Sequence, residues 1–127
     1  MLIAFLAEGS TQDATHHDAT QLLAVTLMVK NEAEALEKTL LPFVQAGIKN
    51  YFLYDTGSTD TTLADATEFF KKHALTKIYI RQEPFIDFAT SRNHSLERAE
   101  QKFPHACFML LPDAEWCLVN GKQLLEF

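Results

Sequence analysis

The chain has 127 residues, of which 47% are apolar and 22% charged, and this composition fits one globular domain with a hydrophobic core. Its 17 acidic and 11 basic residues give a net charge of −6, and no basic stripe is present, so nucleic acid is not an expected partner. Cys107 and Cys117 are too few for a disulfide framework and are expected to be reduced thiols.

Residues 1–21 predict a flexible N-terminal arm that precedes one domain over 22–127. The opening MLIAFLA lacks a basic leader and is too short for a signal peptide or a membrane span. We therefore expect no transmembrane segment and a cytoplasmic location. The polar stretch that follows contains His16 and His17, which could bind a metal, but no companion ligands accompany them.

The apolar run LLAVTLMV at 22–29 predicts a strand that is buried on both faces. The next stretch, KNEAEALEKTLLPFVQAG, predicts a helix because its apolar residues recur at helical spacing. Asn31 is the expected cap of its start and Gly47 the expected cap of its end. Pro42 is expected to kink or divide this helix.

Strands and helices continue to alternate after this helix. YFLY predicts a short buried strand that ends at Asp55, and STDTTLADATEFFKKHA predicts a second helix with Asp60 as its cap. KIYI predicts a third strand, DFATSRNHSLERAEQKF a third helix, and ACFMLL a fourth strand that ends at PDAEW. This alternation predicts an α/β fold with a mostly parallel sheet flanked by helices on both faces.

Asp55-Thr56-Gly57 also matches the catalytic strand of an aspartic protease. Such proteases are nearly all β and rich in glycine, whereas this chain has 4 glycines and amphipathic helix patterns on both sides of the motif. No second half with an apolar-apolar-Gly segment follows. The sequence therefore favours a strand that ends in a turn and leads into a helix.

Polar residues stand where the predicted parallel strands end. Asn31 and Glu32 follow the first strand, Asp55 the second, and Asp113 and Glu115 the fourth. Because open α/β sheets bind ligands beyond the carboxyl ends of their strands, these residues predict a shared site. Asp113 and Glu115 stand at i and i+2, so in an extended segment they project to one side and could bind Mg or Mn together. The alternative is that each is an ordinary turn or capping residue.

Four segments, in this order, resemble family 2 glycosyltransferases of the GT-A fold: LAVTLMVKNEAEALEKTL, YFLYDTGSTDTT, FIDFATSRNHSLERA and FMLLPDAEW. The resemblance covers about residues 23–116 and implies a Rossmann-like GT-A fold. It also implies that a sugar is transferred from a nucleotide-diphosphate sugar to an acceptor hydroxyl, with inversion and with the help of a divalent cation, Mg or Mn.

The resemblance implies a nucleotide-sugar site formed by Val29, Asn31, Glu32, Asp55, Asp87, Arg92, Asn93 and Asp113. Asp55 would accept a hydrogen bond from the nucleobase, and Val29, Asn31 and Glu32 would line the nucleoside pocket. Arg92 would contact phosphate or nucleotide. Asp113 and Glu115 would bind the metal. The alternative reading makes Asp55 a turn residue and places Arg92 in an ion pair on a helix surface.

The chain departs from the family pattern at two points. The family usually has Asp-x-Asp directly after the apolar run, whereas Pro112 occupies the first of these positions if Trp116 keeps its register. The motif has then either shifted to Asp113-Ala114-Glu115 or been degraded. A general base is expected beyond Phe127, so we expect the nucleotide-binding half of a truncated GT-A domain. The alternative is a non-catalytic nucleotide-sugar-binding or structural domain derived from that fold.

Overall fold

The computed structural model of the chain describes residues 4–6, 22–106 and 108–112. The elements in chain order are β1 (Ala4–Leu6), β2 (Leu23–Val29), α1 (Ala33–Gln45), β3 (Asn50–Asp55), α2 (Thr62–Lys72), β4 (Lys77–Gln82), α3 (Phe88–Lys102) and β5 (Phe108–Leu110). The strands form one sheet in the order β1-β5-β2-β3-β4. β5, β2, β3 and β4 are parallel, and β1 is antiparallel to β5. The predicted α/β fold with a mostly parallel sheet is confirmed.

Helices cover both faces of this sheet. Successive residues of a strand point to opposite faces, and on one face the strands pack against α1 and α2. The main buried residues of that layer are Leu23, Val25, Leu27, Val29, Tyr51, Leu53, Leu36, Leu40, Phe43, Ala66 and Phe70. On the other face, Ala24, Phe52 and Tyr54 pack with Ala99 of α3 and with Phe103. Each buried leucine or phenylalanine contributes about 1.5–3 kcal/mol, so the two layers stabilise the sheet from both sides.

α1 is one continuous helix, so the expectation that Pro42 divides it is wrong. Pro42 lies inside α1, and Phe43, the next residue, is fully buried against the sheet. This burial offsets the hydrogen bond that proline cannot donate. Gly47, with φ 98°, ends the helix as predicted: its N–H bonds to Val44 O at 3.0 Å, and the N–H of Ile48 bonds to Phe43 O at 3.2 Å.

α2 ends with the same pair of hydrogen bonds but without a glycine. The N–H of Ala74 bonds to Lys71 O, and the N–H of Leu75 bonds to Phe70 O, both at 3.0 Å. Ala74 therefore takes the left-handed position, with φ 56°. A residue with a Cβ is strained in this conformation, so the end of α2 stores a small backbone cost.

The N-terminal prediction is corrected at residues 4–6. Ala4, Phe5 and Leu6 pair with Leu110, Met109 and Phe108, so they form a strand where a flexible arm was expected. The physical reason is that β5 would otherwise leave a row of unpaired backbone groups at the edge of the sheet. Residues 7–21, with His16 and His17, lie outside the described residues, and the division of the chain at 21/22 stays a prediction.

Strand order reverses between β2 and β5. From β2 the chain proceeds to β3 and then β4 on one side, and it returns through α3 to place β5 on the other side of β2. In open α/β sheets, a crevice for a ligand forms at such a reversal, outside the carboxyl ends of the strands. None of the helices in the described ranges is both long and apolar enough to cross a membrane.

Candidate functional site

The carboxyl ends of the three strands from β2 to β4 are level with one another. Val29 pairs with Asp55, and Asp55 pairs with Gln82. The loops that follow these strands therefore start side by side at one edge of the sheet. β5 runs parallel to β2, so the chain also leaves β5 towards this edge. Asp113 and Glu115, the predicted metal ligands, lie outside the described residues.

Asp55 is fully buried, and its carboxylate binds the turn that it begins. Oδ2 accepts the N–H groups of Gly57 at 3.2 Å and Ser58 at 3.1 Å, and Oδ1 accepts the hydroxyl of Ser58. The backbone carbonyl of Asp55 accepts the N–H of Glu83 at 2.9 Å. Aspartate side chains commonly form such local turns. Asp55 is thus a turn residue in this structure, and its predicted contact with a nucleobase stays a prediction.

Val29 is tied to the same turn through its backbone. Its carbonyl oxygen accepts both the N–H of Thr56 at 3.0 Å and the hydroxyl of Thr56 at 3.3 Å. Both residues are buried. The ends of β2 and β3 are therefore joined one residue beyond their ladder, which gives the edge a rigid base for the loops above it.

Asn31 connects the loop after β2 to the loop after β3. Its N–H donates to Ser58 Oγ at 2.9 Å, and its Oδ1 accepts the N–H groups of Thr59 at 2.8 Å and Asp60 at 3.2 Å. The expectation that Asn31 caps α1 is wrong, because the cap position is occupied by Glu32, whose side chain makes no capping bond. Asn31 has φ 52°, and its side-chain oxygen Oδ1 accepts hydrogen bonds from the loop after β3 instead.

Asp60 and Thr62 join the starts of the two helices that cover the same face of the sheet. The N–H of Glu32 donates to Thr62 Oγ1 at 2.9 Å, and the Thr62 hydroxyl donates to Asp60. The expectation that Asp60 is the cap of α2 is wrong by one residue, because the cap position is Thr61; Asp60 Oδ1 nevertheless accepts the N–H of Thr62, the first residue of the helix, at 2.9 Å. The Thr62 hydroxyl, followed by the backbone N–H groups of Thr62 and Ala33, lowers the pKa of Asp60.

Asp87 caps α3 on the other face of the sheet. Its Oδ1 accepts the N–H of Thr90 at 2.7 Å and its Oδ2 accepts the Thr90 hydroxyl at 3.0 Å. The backbone N–H of Thr90 is the main cause that lowers the pKa of Asp87. Arg92 is half-buried and Asn93 is exposed in the second turn of α3. Their predicted contacts with a nucleotide stay predictions.

Sequence reasoning missed a charged cluster centred on Glu83. Its Oε1 accepts the hydroxyl of Tyr54 at 3.0 Å and Nη2 of Arg98 at 3.2 Å. Its Oε2 accepts Nε of Arg98 at 2.9 Å and Nε of Arg81. Arg98 is the main cause that lowers the pKa of Glu83, and burial is the main cause that raises the pKa of Tyr54.

Glu83 was missed because the third strand was predicted to end two residues too early. The predicted third strand stopped at Ile80, whereas β4 extends to Gln82, so Glu83 directly follows the end of β4, and Asp55 is likewise the last residue of β3. The rule that polar residues at strand ends mark the site edge would have found it. Through Arg98, Glu83 ties the end of β4 to α3.

Exposed apolar residues lie in the loop after β4 and at the first position of α3. Phe85 is 42% exposed, Ile86 59% and Phe88 71%, and the rings of Phe85 and Phe88 meet edge to face at 5.4 Å. Exposed apolar clusters of this kind are often covered by a ligand or by further polypeptide. The loop follows the carboxyl end of β4, so it belongs to the same edge as the residues above.

The described residues do not themselves supply a metal site. Within the ranges 22–106 and 108–112, no three His, Cys, Asp or Glu side chains are grouped to hold an ion. Asp60 and Asp87 are occupied by helix starts, and Glu83 by two arginines. Asp113 and Glu115, the predicted ligands whose oxygen atoms suit Mg or Mn chemically, lie outside the described residues, and their metal site stays a prediction.

The fold and the carboxyl edge of its sheet together define a Rossmann-like α/β domain, in which the loops converge where the strand order reverses. No protein-family model and no curated protein matches the chain. Among solved structures it is similar to mannosyltransferase PcManGT from Pyrobaculum calidifontis, in complex with GDP-Man and Mn²⁺, with a TM-score of 0.66 and 19% sequence identity. The similarity covers 82% of this chain and 30% of that one, so this chain spans less than a third of its neighbour. At this identity the similarity shows a shared fold.

Proposed function

We propose that this chain is the donor-binding half of a glycosyltransferase that uses a nucleotide-diphosphate sugar. The observation that carries the proposal is the alignment of the loops after β2 and β3 at the carboxyl edge of a sheet whose strand order reverses between β2 and β5. The neighbour with the shared fold was solved with GDP-Man and Mn²⁺, which supports a nucleotide sugar as ligand. The sugar would pass to an acceptor hydroxyl with inversion, as in family 2 enzymes of the GT-A fold.

The nucleoside would lie over the ends of β2 and β3. The loop from Val29 to Glu32 would line its pocket, with Asp55 beneath it. Because Asp55 has no exposed surface, a direct bond to the base requires Ser58 to move aside. We therefore assign Asp55 first to the shape of the pocket and second to recognition of the base.

The diphosphate would lie nearer the reversal, between the loop after β2 and the chain that leaves β5. An acidic protein binds a diphosphate favourably only when local positive charge compensates. Arg92, with Asn93 beside it and Asp87 fixing the start of α3, is the proposed cationic contact from the protein. Asp113 and Glu115 would hold Mg or Mn, and the bound ion would neutralise the diphosphate as a leaving group.

Nucleotide-dependent thermal stability tests this proposal. GDP and UDP, each with and without Mn²⁺, are added to the folded chain, and the Tm is measured. Ligand at about one hundred times its Kd adds roughly 2.7 kcal/mol, which corresponds to about 10 °C for a domain of this size. We expect one nucleotide to stabilise the chain only with Mn²⁺, and Asp113→Ala to abolish the effect. Asp65→Ala, an exposed acid on α2, is the matched control and should retain it.

The second candidate is a non-catalytic domain that retains the sheet without the metal. The observation in its favour is that Pro112, which is buried, stands where the family usually has its first metal-binding acid if Trp116 keeps its register. A folded chain that neither nucleotide stabilises, with or without Mn²⁺, would favour this candidate and contradict the first. A cytoplasmic location remains a prediction under both candidates, and an acceptor hydroxyl is predicted only under the first.

A further inference from the structure

Asn31 makes the most extensive link between the two loops of the candidate site. Its side-chain oxygen accepts three donors from the next loop: the N–H of Thr59 at 2.8 Å, the hydroxyl of Thr59 at 3.4 Å and the N–H of Asp60 at 3.2 Å. An amide oxygen has two lone pairs, so these donors use its accepting capacity fully. The side-chain oxygen of Asn31 is thus committed to the protein, although the residue itself is exposed.

The backbone of Asn31 supports the same link. Its φ of 52° is a left-handed conformation, which asparagine adopts more readily than other residues with a Cβ. In this conformation the N–H of Asn31 reaches Ser58 Oγ at 2.9 Å. Unusual backbone conformations of this kind persist where surrounding bonds compensate for them, and they are concentrated at functional sites.

Ser58 extends the link to the buried carboxylate. Its hydroxyl accepts the N–H of Asn31 and donates to Asp55 Oδ1, while its own N–H donates to Asp55 Oδ2 at 3.1 Å. A continuous path of hydrogen bonds therefore runs from Asn31 through Ser58 to Asp55. Such connected bonds polarise and orient one another.

We propose that Asn31 is a positioning residue that orders the loop of residues 55–60 before any ligand arrives. Asn31 acts through Ser58 and Asp55 rather than through a side-chain bond to the ligand. The consequence for binding rests on the proposed function, because a loop that is already ordered saves the entropy of ordering it when a nucleotide binds. The ordering of the loop itself does not depend on that function.

Amide hydrogen exchange of the ligand-free chain tests the loop directly. Asn31→Gly keeps the left-handed backbone but removes the acceptor, and Asn31→Asp keeps an acceptor in the same place. We expect the Thr59 and Asp60 amides to exchange roughly 3- to 10-fold faster in Asn31→Gly, the loss of one ordinary hydrogen bond each, and to stay protected in Asn31→Asp. The Leu75 amide, bonded to Phe70 O at 3.0 Å beyond the far end of α2, is the internal control and should not change.

Two exchange results would overturn the proposal. In one, Asn31→Gly leaves the Thr59 and Asp60 amides as protected as in the parent chain, which would show that Asn31 does not order the loop. In the other, exchange rises equally at Leu75, which would show a general loss of stability rather than a local release.

The affinity for GDP with Mn²⁺ tests the consequence for binding. We expect Asn31→Gly to weaken binding by a factor similar to its exchange effect, and Asn31→Asp to restore it. Equal affinity of Asn31→Gly and the parent would refute the positioning role. If the parent binds neither GDP nor UDP, the proposed function fails, and the exchange result by itself decides whether Asn31 orders the loop.

Discussion

Replacing Asp55 by alanine removes the acceptor of three hydrogen bonds, from the N–H groups of Gly57 and Ser58 and from the hydroxyl of Ser58. A hydrogen bond to a charged group contributes about 1.5–3 kcal/mol. Gly57 is exposed and Ser58 half-buried, so their donors partly regain water when the carboxylate is lost. The three bonds would sum to about 4.5–9 kcal/mol, and because the freed donors regain water we expect Asp55→Ala to lower the free energy of unfolding by less, about 3–4 kcal/mol.

Asp55→Asn should be much milder. The amide oxygen can take the place of Oδ2 and keep both backbone N–H donors, while the Ser58 hydroxyl turns to accept from the amide nitrogen. Only the charge assistance is lost, so we expect a decrease of about 1–2 kcal/mol. Asp65→Ala is the control: this exposed aspartate accepts one hydroxyl, from Thr61 at 3.0 Å, and its loss should change stability by less than about 0.5 kcal/mol.

Urea unfolding followed by circular dichroism measures these differences. With an m-value of about 1–2 kcal/mol/M, the midpoint should fall by roughly 2 M for Asp55→Ala and by roughly 1 M for Asp55→Asn. A midpoint for Asp55→Ala close to that of Asp65→Ala would show that the hydrogen bonds of this turn contribute nothing measurable to stability. If the order holds, loss of nucleotide binding in Asp55→Ala reports unfolding of the loop, and Asp55→Asn is the variant that tests recognition of the base.

Three further changes test the rest of the fold. Ala74→Gly should raise stability by about 0.5–1 kcal/mol, because glycine adopts the left-handed backbone of this position without strain. Ala64→Gly within α2 should instead lower stability by about 1 kcal/mol. If both variants changed the Tm in the same direction, Ala74 would not be strained. Glu83→Gln should cost about 1–2 kcal/mol at pH 7. Because the folded pKa of Glu83 is below its ordinary 4.5, this difference should persist above pH 4.5 and shrink as the pH falls below it; a difference independent of pH would contradict the ion pairs. Tyr51→Phe should cost about 1 kcal/mol, because Tyr51 donates to Ile48 O at 2.7 Å while buried, and an unchanged urea midpoint would show that this bond is not stabilising.

The Glu83 cluster and the hydrogen bonds of Asn31 stabilise the carboxyl edge of the sheet on opposite faces. Asn31 and Asp60 join the loops above one face of the sheet, where α1 and α2 begin. Glu83 joins β3 and β4 to α3 on the other face, through Tyr54 and Arg98. The two groups share Asp55, whose side chain binds Ser58 and whose carbonyl accepts the N–H of Glu83. Asp55 therefore bonds to both groups, through its side chain on one side and its backbone on the other.

Much of the fold could be predicted because its signals are local. The unbroken apolar run of β2 indicated a strand buried on both faces, and helical spacing in α1 and α2 indicated which side chains face the sheet. Alternation of strands and helices then required parallel strands, since each crossover passes over a face. Because parallel strands end at the same edge of a sheet, Asn31, Glu32 and Asp55 were predicted to lie at one edge, and the structure confirms that they do.

What each edge residue does was decided only by tertiary structure. The amino-acid sequence indicated the elements, their order and the edge at which polar side chains gather, because those follow from hydrophobic period and chain direction. It could not show that Asn31 bonds to the loop after β3 rather than capping α1, that Glu83 meets Arg98, or that residues 4–6 pair with β5. These contacts join residues far apart in the chain, and their geometry exists only once strand order has brought the loops together, so no local pattern encodes them.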